Sequence, residues 1–244
     1  MLSGDMRRII TVDGLAGSGK TTLARLLAER IGFRHLNSGL LYRGLGYLAI
    51  RSGLKSKTDE SNILQLLDQH TLALVVDGGG ASRLAIDGVM VGDELQTAFV
   101  SEAASQIAPL ERVRERLLPV QQEAFLPCSI VAEGRDMGTV VFPNAELKFF
   151  VRADAGTRAE RRLAQQLSSL GGGLSPIETE KIKENLRLEI SERDFRDTTR
   201  SISPTIPAPD AIEFDNSSKT LTEAVHDMYA AASIRGLVAG VQSA

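Results

Sequence analysis

Apolar residues recur along this chain with two different periods, and the places where the period changes divide it. Arg8-Ile9-Ile10-Thr11-Val12-Asp13 is a short apolar run that ends at a glycine-rich segment, which predicts a buried strand. Leu23, Leu26, Leu27 and Ile31 then recur at helical spacing, and Gly32 supplies a stop. Strand, glycine loop and helix in that order open an α/β fold.

From about residue 70 to 92 the period falls to two. Leu72, Leu74 and Val76, then Leu84 and Ile86, then Val89 and Val91 alternate with other residues. Asp77-Gly78-Gly79-Gly80 and Asp87-Gly88 sit between them as turns, so a small antiparallel insertion is expected beside the main sheet. The α/β pattern resumes with core strands at Ser129–Ala132 and Leu147–Val151. A last strand is expected at Ala211–Asp215, then a helix from about Thr220 to Arg235. The charged stretch from Gly156 to Arg200, interrupted by Gly171-Gly172-Gly173, predicts two helices joined at a glycine tip, the layout of a mobile lid. Pro204, Pro207 and Pro209 are expected to end the second helix, and Met1–Met6 and Val238–Ala244 read as solvated tails.

Composition narrows the function classes. A net charge of −3 lacks the basic excess that tracks long nucleic acid. No apolar run approaches the ~18–20 residues of a membrane helix. Cys128 is the single cysteine, so no intrachain disulfide forms, which fits a reducing cytoplasm. His35, His70 and His226 are too scattered for a metal site.

The chemistry enters with Gly14-Leu15-Ala16-Gly17-Ser18-Gly19-Lys20-Thr21, which fits G-x-x-x-x-G-K-[ST] at every fixed position. In such a loop backbone N–H groups converge on phosphate oxygens, and the helix that follows points its positive end at them. Lys20 is expected to reach the β- and γ-phosphates, and Thr21 to offer its hydroxyl to Mg²⁺. The loop alone leaves open a GTP-driven switch, a motor or a small-molecule kinase. A guanine-reading N-K-x-D is absent, and the one D-x-x-G lies in the hairpin region, so the kinase reading is preferred.

Two further clusters point the same way. Arg135 and Asp136 follow a core strand, at the edge where parallel sheets place ligands, although an arginine–aspartate pair in a loop is also a common structural device. Arg193, Arg196, Asp197 and Arg200 fall at i, i+3, i+4 and i+7, so one helical face is expected to present three cations and a carboxylate. Such a run is more often a solvated, salt-bridged face; beside a phosphate loop it is what two phosphorylated substrates require.

Asn37-Ser38-Gly39-Leu40-Leu41-Tyr42-Arg43, Ala103-Ala104-Ser105-Gln106-Ile107, Arg112-Val113-Arg114, Glu133 through Pro143 and Glu192 through Arg200 together resemble the bacterial cytidylate kinases. The order and spacing match from about Ile9 to Asp215, and the run Gly134-Arg135-Asp136-Met137-Gly138-Thr139-Val140-Val141-Phe142-Pro143 is the most specific part. The resemblance implies a P-loop NTPase-type three-layer fold with a central parallel sheet, a small β-containing acceptor-binding insertion and a helical lid. The core is expected at residues 1–39, 105–157 and 201–244, the insertion at 40–104 and the lid at 158–200. It further implies transfer of the γ-phosphate of MgATP to CMP or dCMP by a cytoplasmic monomer, with Mg²⁺ as cofactor.

On the same grounds Gly14, Leu15, Ala16, Gly17, Ser18, Gly19, Lys20, Thr21 and Thr22 hold ATP, with Thr21 toward the metal. Ser38, Arg43 and Arg135 resemble the ligands of the acceptor phosphate, and Ser105, Arg114 and Asp136 the readers of the cytosine edge. Asp197 resembles the residue that holds the sugar hydroxyls, while Tyr42 either lines the acceptor pocket or simply packs. Lys20, Arg135, Arg193 and Arg200 are the expected catalytic cations. A serine before a helix and an arginine on one, as Ser105 and Arg114 read locally, are usually structural. The chain departs from the family pattern at Asn37 and Glu133, each in place of an aspartate, and at Thr198, where a basic residue is common. Another acceptor such as UMP or shikimate, or a nucleotide sensor without transfer activity, are the competing readings.

Overall fold

The computed structural model describes residues 7–54, 59–170 and 175–238. The apolar run before the glycines forms β1 (Ile9–Gly14), the middle strand of a five-stranded sheet. On one side lie β6 (Ile130–Gly134) and then β2 (Arg34–Asn37); on the other lie β7 (Leu147–Arg152) and β8 (Ile212–Asp215). Every pairing in this sheet is parallel.

Strand alternation gives the sheet two apolar faces. Ile10, Val12, Val131, Leu147, Phe149 and Val151 pack against α1 (Lys20–Ile31) and α8 (Leu221–Ile234). Leu36, Ile130 and Ala132 meet Met137, Val141 and Phe142 on the opposite side. Helix, sheet and opposing cover make the three layers. The helix stop at Gly32 (φ 74°) is a left-handed C-cap, and Thr220 with Glu223 forms a capping box that starts α8.

The insertion carries more helix than its period-two signal announces. α2 (Gly39–Arg51) and α3 (Glu60–Gln69) precede the antiparallel strands β3 (Leu72–Val76), β4 (Ser82–Ile86) and β5 (Val89–Val91). A 3-10 turn at Asp93–Gln96 then leads to α4 (Ala98–Ile107) and α5 (Glu111–Glu123). α2 and α4 meet at Gly46, where a Cβ would come within 3.1 Å of Ala103 Cβ and Val100 O. One apolar cluster runs from Leu40 through Ile107 and Val113 to Leu117, so the boundary expected at residue 104 falls inside α4. Ser105, expected ahead of a helix, lies within that one.

The charged stretch folds into α6 (Ala155–Leu170) and α7 (Pro176–Thr199), held by a small cluster of their own: Ala159, Leu163, Leu186 and Ile190. Ser175 and Glu178 cap α7 reciprocally. The Gly171-Gly172-Gly173 tip, Met1–Met6 and residues 239–244 lie outside the described residues. Val238, by contrast, packs against the sheet's main cluster instead of being free in solvent. α7 stops at Thr199, ahead of the prolines expected to end it, because Arg200 already has an extended backbone (φ −60°, ψ 142°). Among the described residues, no helix is long and apolar enough to cross a membrane.

Phe149 is 1% exposed and meets Phe214 edge-on at 6.2 Å between ring centroids. Phe149→Ala is expected to cost ~3–5 kcal/mol in urea unfolding, the range for an aromatic deleted from a packed core.

Candidate active site

The glycine loop turns at the carboxyl end of β1, and its backbone is shaped for residues without a side chain. Gly14 (φ 152°) and Gly19 (φ 91°) both have positive φ, and a Cβ on Gly19 would stand 2.7 Å from Asn216 Nδ2. Lys20 is the first residue of α1 and is buried; its Nζ donates to Leu15 O at 3.2 Å. Burial, with Arg135 and Arg193 nearby, pulls its amine down to about 7. Thr21 Oγ1 donates to Glu133 Oε1 at 2.9 Å.

Beside the loop lies a cleft of about 220 Å³ between α1, β2, β6, α2, α4, α5 and α7. Of the residues singled out from the sequence, Lys20, Thr21, Ser38, Tyr42, Arg43, Ser105, Arg114, Arg135, Asp136, Arg193, Asp197 and Arg200 all line it. Lys20 and five arginines (43, 114, 135, 193 and 200) face three carboxylates, those of Glu133, Asp136 and Asp197. The lining therefore has more positive than negative groups, in a chain whose net charge is negative.

Each group is held by its own element. Ser38 Oγ donates to Glu133 O at 2.8 Å. Arg43 Nη1 donates to Leu95 O at 2.6 Å and to Ser101 Oγ at 2.8 Å. Arg135 leaves β6, donates through Nη1 to Gly14 O at 3.0 Å and pairs through Nε with Asp197 of α7, also at 3.0 Å. Burial alone would raise the Asp197 carboxyl, but Arg135, Arg193 and Arg200 around it hold it below its usual range. Arg114 and Asp136 form a buried ion pair, and the Arg114 guanidinium lies 5.8 Å from the Tyr42 ring centroid. Burial first, then Asp136, pushes the Tyr42 phenol up to about 12. Burial, followed by the repulsion of Arg135, lowers Arg193 to about 10.

Several polar atoms here are buried with no protein partner: Ser18 Oγ, Ser105 Oγ, Arg193 Nε and Arg200 Nη2. Buried donors normally have a partner, so these mark where a polar ligand would dock.

The helical face expected of α7 is only partly realised. Arg193, Asp197 and Arg200 line the cleft, whereas Arg196 is turned outward to a two-pronged pair with Glu102 of α4 at 2.7 and 3.0 Å. Thr198 likewise faces away, its hydroxyl donating to Asp194 O at 2.7 Å. Asn37 is level with Glu133 in the sheet and also lines the cleft.

Other groups at the site are silent in the sequence. Arg158 of α6 donates to Ala16 O at 3.1 Å and grips Asp194 at 2.9 and 2.5 Å, tying both lid helices to the glycine loop. Arg161 Nη2 donates to Asn216 O, and Asn216 Nδ2 to Ser18 O at 2.9 Å. Asn216 directly follows β8, and that position at the carboxyl edge of a parallel strand is the one signal that could have found it. Gln96 and Ser101 line the cleft from the 3-10 turn and α4, elements without a sequence signature.

The sequence profile of the family described as cytidylate kinase matches residues 10–233. A cytidylate kinase of Streptococcus sanguinis is 38% identical over 216 residues, covering 88% of this chain and 92% of that one. One from Vibrio vulnificus is 40% identical over 217 residues, covering 89% and 92%. One from Pseudomonas fluorescens is 38% identical over 231 residues, covering 94% and 96%. A crystal structure from Thermus thermophilus overlays with a TM-score of 0.45 at 16% identity, covering 97% of this chain and 100% of that one, a loose overlap that carries no argument.

Burial should make the cleft's ion pairs unequal to those on the surface. Arg114→Met, which strands the buried Asp136 carboxylate, is expected to cost ~3–5 kcal/mol in chemical denaturation. Arg116→Met, which breaks the exposed pair with Asp68, should cost less than about 1 kcal/mol. Equal costs would mean that the cleft is far wetter than its burial indicates.

Proposed function

The chain belongs to the cytidylate kinase family, and from that premise we propose that it transfers the γ-phosphate of MgATP to CMP or dCMP, giving ADP with CDP or dCDP. The observation that carries this reading is the cleft itself. Cations in excess, with unpartnered donors on Ser105, Arg193 and Arg200, are gathered where a phosphate loop, a strand-end turn and a lid helix meet.

The donor phosphates lie along Gly14–Thr22, with Lys20 Nζ exchanging its carbonyl partner for phosphate oxygens. Thr21 and Glu133 are hard oxygen donors in contact with each other, a donor set suited to Mg²⁺. Bound between these residues and the nucleotide, the metal supplies charge neutralisation on the phosphate oxygens. Asn37 carries no charge, so Glu133, its neighbour across the sheet, is the carboxylate on that side. Among the described residues no group of three His, Cys, Asp or Glu could hold an ion without the nucleotide's help.

The acceptor's 5′-phosphate is received by Ser38, Arg43 and Arg135, and its sugar hydroxyls by Asp197. Arg135 and Asp197 then trade the bond they make to each other for bonds to substrate. A phosphate monoester with a second pKa near ~6 is mostly dianionic at pH 7 and attacks the γ-phosphorus in line, so no general base is required. Lys20, Arg135, Arg193 and Arg200 spread positive charge around the transferring group. Closure of α6 and α7 keeps out water, the competing acceptor. Asp136, oriented by Arg114 and flanked by Ser105, accepts from the exocyclic amine of cytosine, whereas uracil would present it an oxygen.

Coupled ADP release with CMP, dCMP, UMP, AMP, GMP, shikimate or no acceptor tests this directly. Fast turnover is expected with CMP and dCMP and slow turnover with UMP; a CMP rate no higher than the no-acceptor rate would sink the assignment. In Asp136→Asn the amide can turn either face to the base, so the kcat/KM preference for CMP over UMP should fall by about 10- to 100-fold, the value of one charge-assisted hydrogen bond.

Lys20 gives a second test. Its amine sits at about 7 when only protein surrounds it, and anionic phosphates favour the charged form. At pH 8, MgATP binding should therefore take up a proton, read as different calorimetric heats in two buffers of unlike ionisation enthalpy. Lys20→Met should erase the difference.

A further inference from the structure

One buried carboxylate is used by none of the steps above. Asp13, on β1 immediately before the phosphate loop, is 4% exposed, and its two oxygens accept from two successive backbone amides. Met137 N donates to Oδ1 at 2.8 Å and Gly138 N to Oδ2 at 2.8 Å. Those amides belong to the turn that carries Arg135 and Asp136 away from β6. Arg135 Nη1 reaches back to the very next residue, bonding Gly14 O at 3.0 Å. The end of β1 thus holds the turn from both sides, and Asp136 stands between the two grips.

We propose that Asp13 is a positioning residue: by clamping the Met137 and Gly138 amides it fixes where Arg135 and Asp136 stand relative to the phosphate loop, and so sets acceptor affinity and base selectivity without touching either substrate. The proposal rests on the acceptor roles given to those two residues above. Two features separate such a clamp from ordinary strand-end packing. One backbone donor meets each oxygen, so the carboxyl is held at two points and its orientation against the turn is fixed. The residue is also kept at a cost. Burial, despite the two amides and Lys20, raises its carboxyl to about 7, so folding favours the protonated form. Stability contributed by this group is full below its unfolded value of 3.8 and is lost as pH rises toward about 7.

The test is Asp13→Asn, which keeps the shape but has one acceptor oxygen, so its NH₂ faces one of the two amide N–H groups. Expected are a rise of about tenfold in KM for CMP and a fall of about tenfold in the CMP-over-UMP preference, as for one buried donor left unpaired, with KM for MgATP changing less than about twofold. A folded variant with unchanged CMP parameters overturns the proposal, as does a parallel loss for both substrates that tracks a fall in Tm.

If Asp13→Asn does not fold, Gly138→Ala approaches the same contact from the other side. Its Cβ would come within 2.9 Å of Thr11 Oγ1 and 3.4 Å of Asp13 Oδ2, lifting the turn while the carboxylate stays. The same split between acceptor and donor is expected, and its absence overturns the proposal. Should the wild type ignore CMP yet phosphorylate another acceptor, the functional reading fails alone, and both variants are scored with that acceptor.

Discussion

Like charges confined in a dry space repel, and the molecule is organised around that constraint. Lys20 and the five arginines of the cleft are brought together where water is scarce, and burial first, then the neighbouring cations, lowers the proton affinities of Lys20, Arg193 and Arg200. Three carboxylates relieve part of the repulsion. Asp136 takes Arg114 in a buried pair and Asp197 takes Arg135 in a part-buried one, both costly to split without a replacement anion. On the proposed reading, substrate phosphates are that replacement. The architecture is an arrangement for holding this imbalance still until the anions arrive.

Stillness comes from the separation of the apolar clusters. The sheet has one on each face, the insertion a third and the two lid helices a fourth. The cleft lies where three of these bodies meet, so its side chains are anchored in different cores and meet only through polar contacts. Arg158 with Ala16 O, Arg135 with Asp197, and Arg196 with Glu102 are the cross-links. A ligand that replaces some of them changes how the bodies are joined without unpacking any of them.

Much of this was legible from residue order. The strand–glycine–helix opening and the period-two hairpins each couple a local pattern to one conformation, and the structure realises both; Arg135 and Asp136 also stand just beyond a parallel strand, as expected. The insertion's helices were not legible as elements: α2 is buried nearly all round, which blurs its period, and its glycines give no sign of the close contact with α4 at Gly46. Arg196 shows the limit of spacing arguments. It has the register of its cleft-facing neighbours Arg193 and Asp197, yet the position of Glu102 on another helix decides where it points. Asp13 was hidden for a similar reason, since the amides it binds lie far off in sequence, 124 and 125 residues on.

The lid has an apolar core it shares with nothing else. Ala159, Leu163, Leu186 and Ile190 bind its two helices to each other, while its ties to the rest are hydrogen bonds and ion pairs. On the proposed reading, a hairpin built that way tips as one lever. Arg193 and Asp197, both on α7, would then reach the cleft and leave it together. On that reading, a half-engaged lid offering one charge without the other is disfavoured by this shared core, and γ-phosphate transfer to water would be guarded by mechanical synchrony as much as by exclusion.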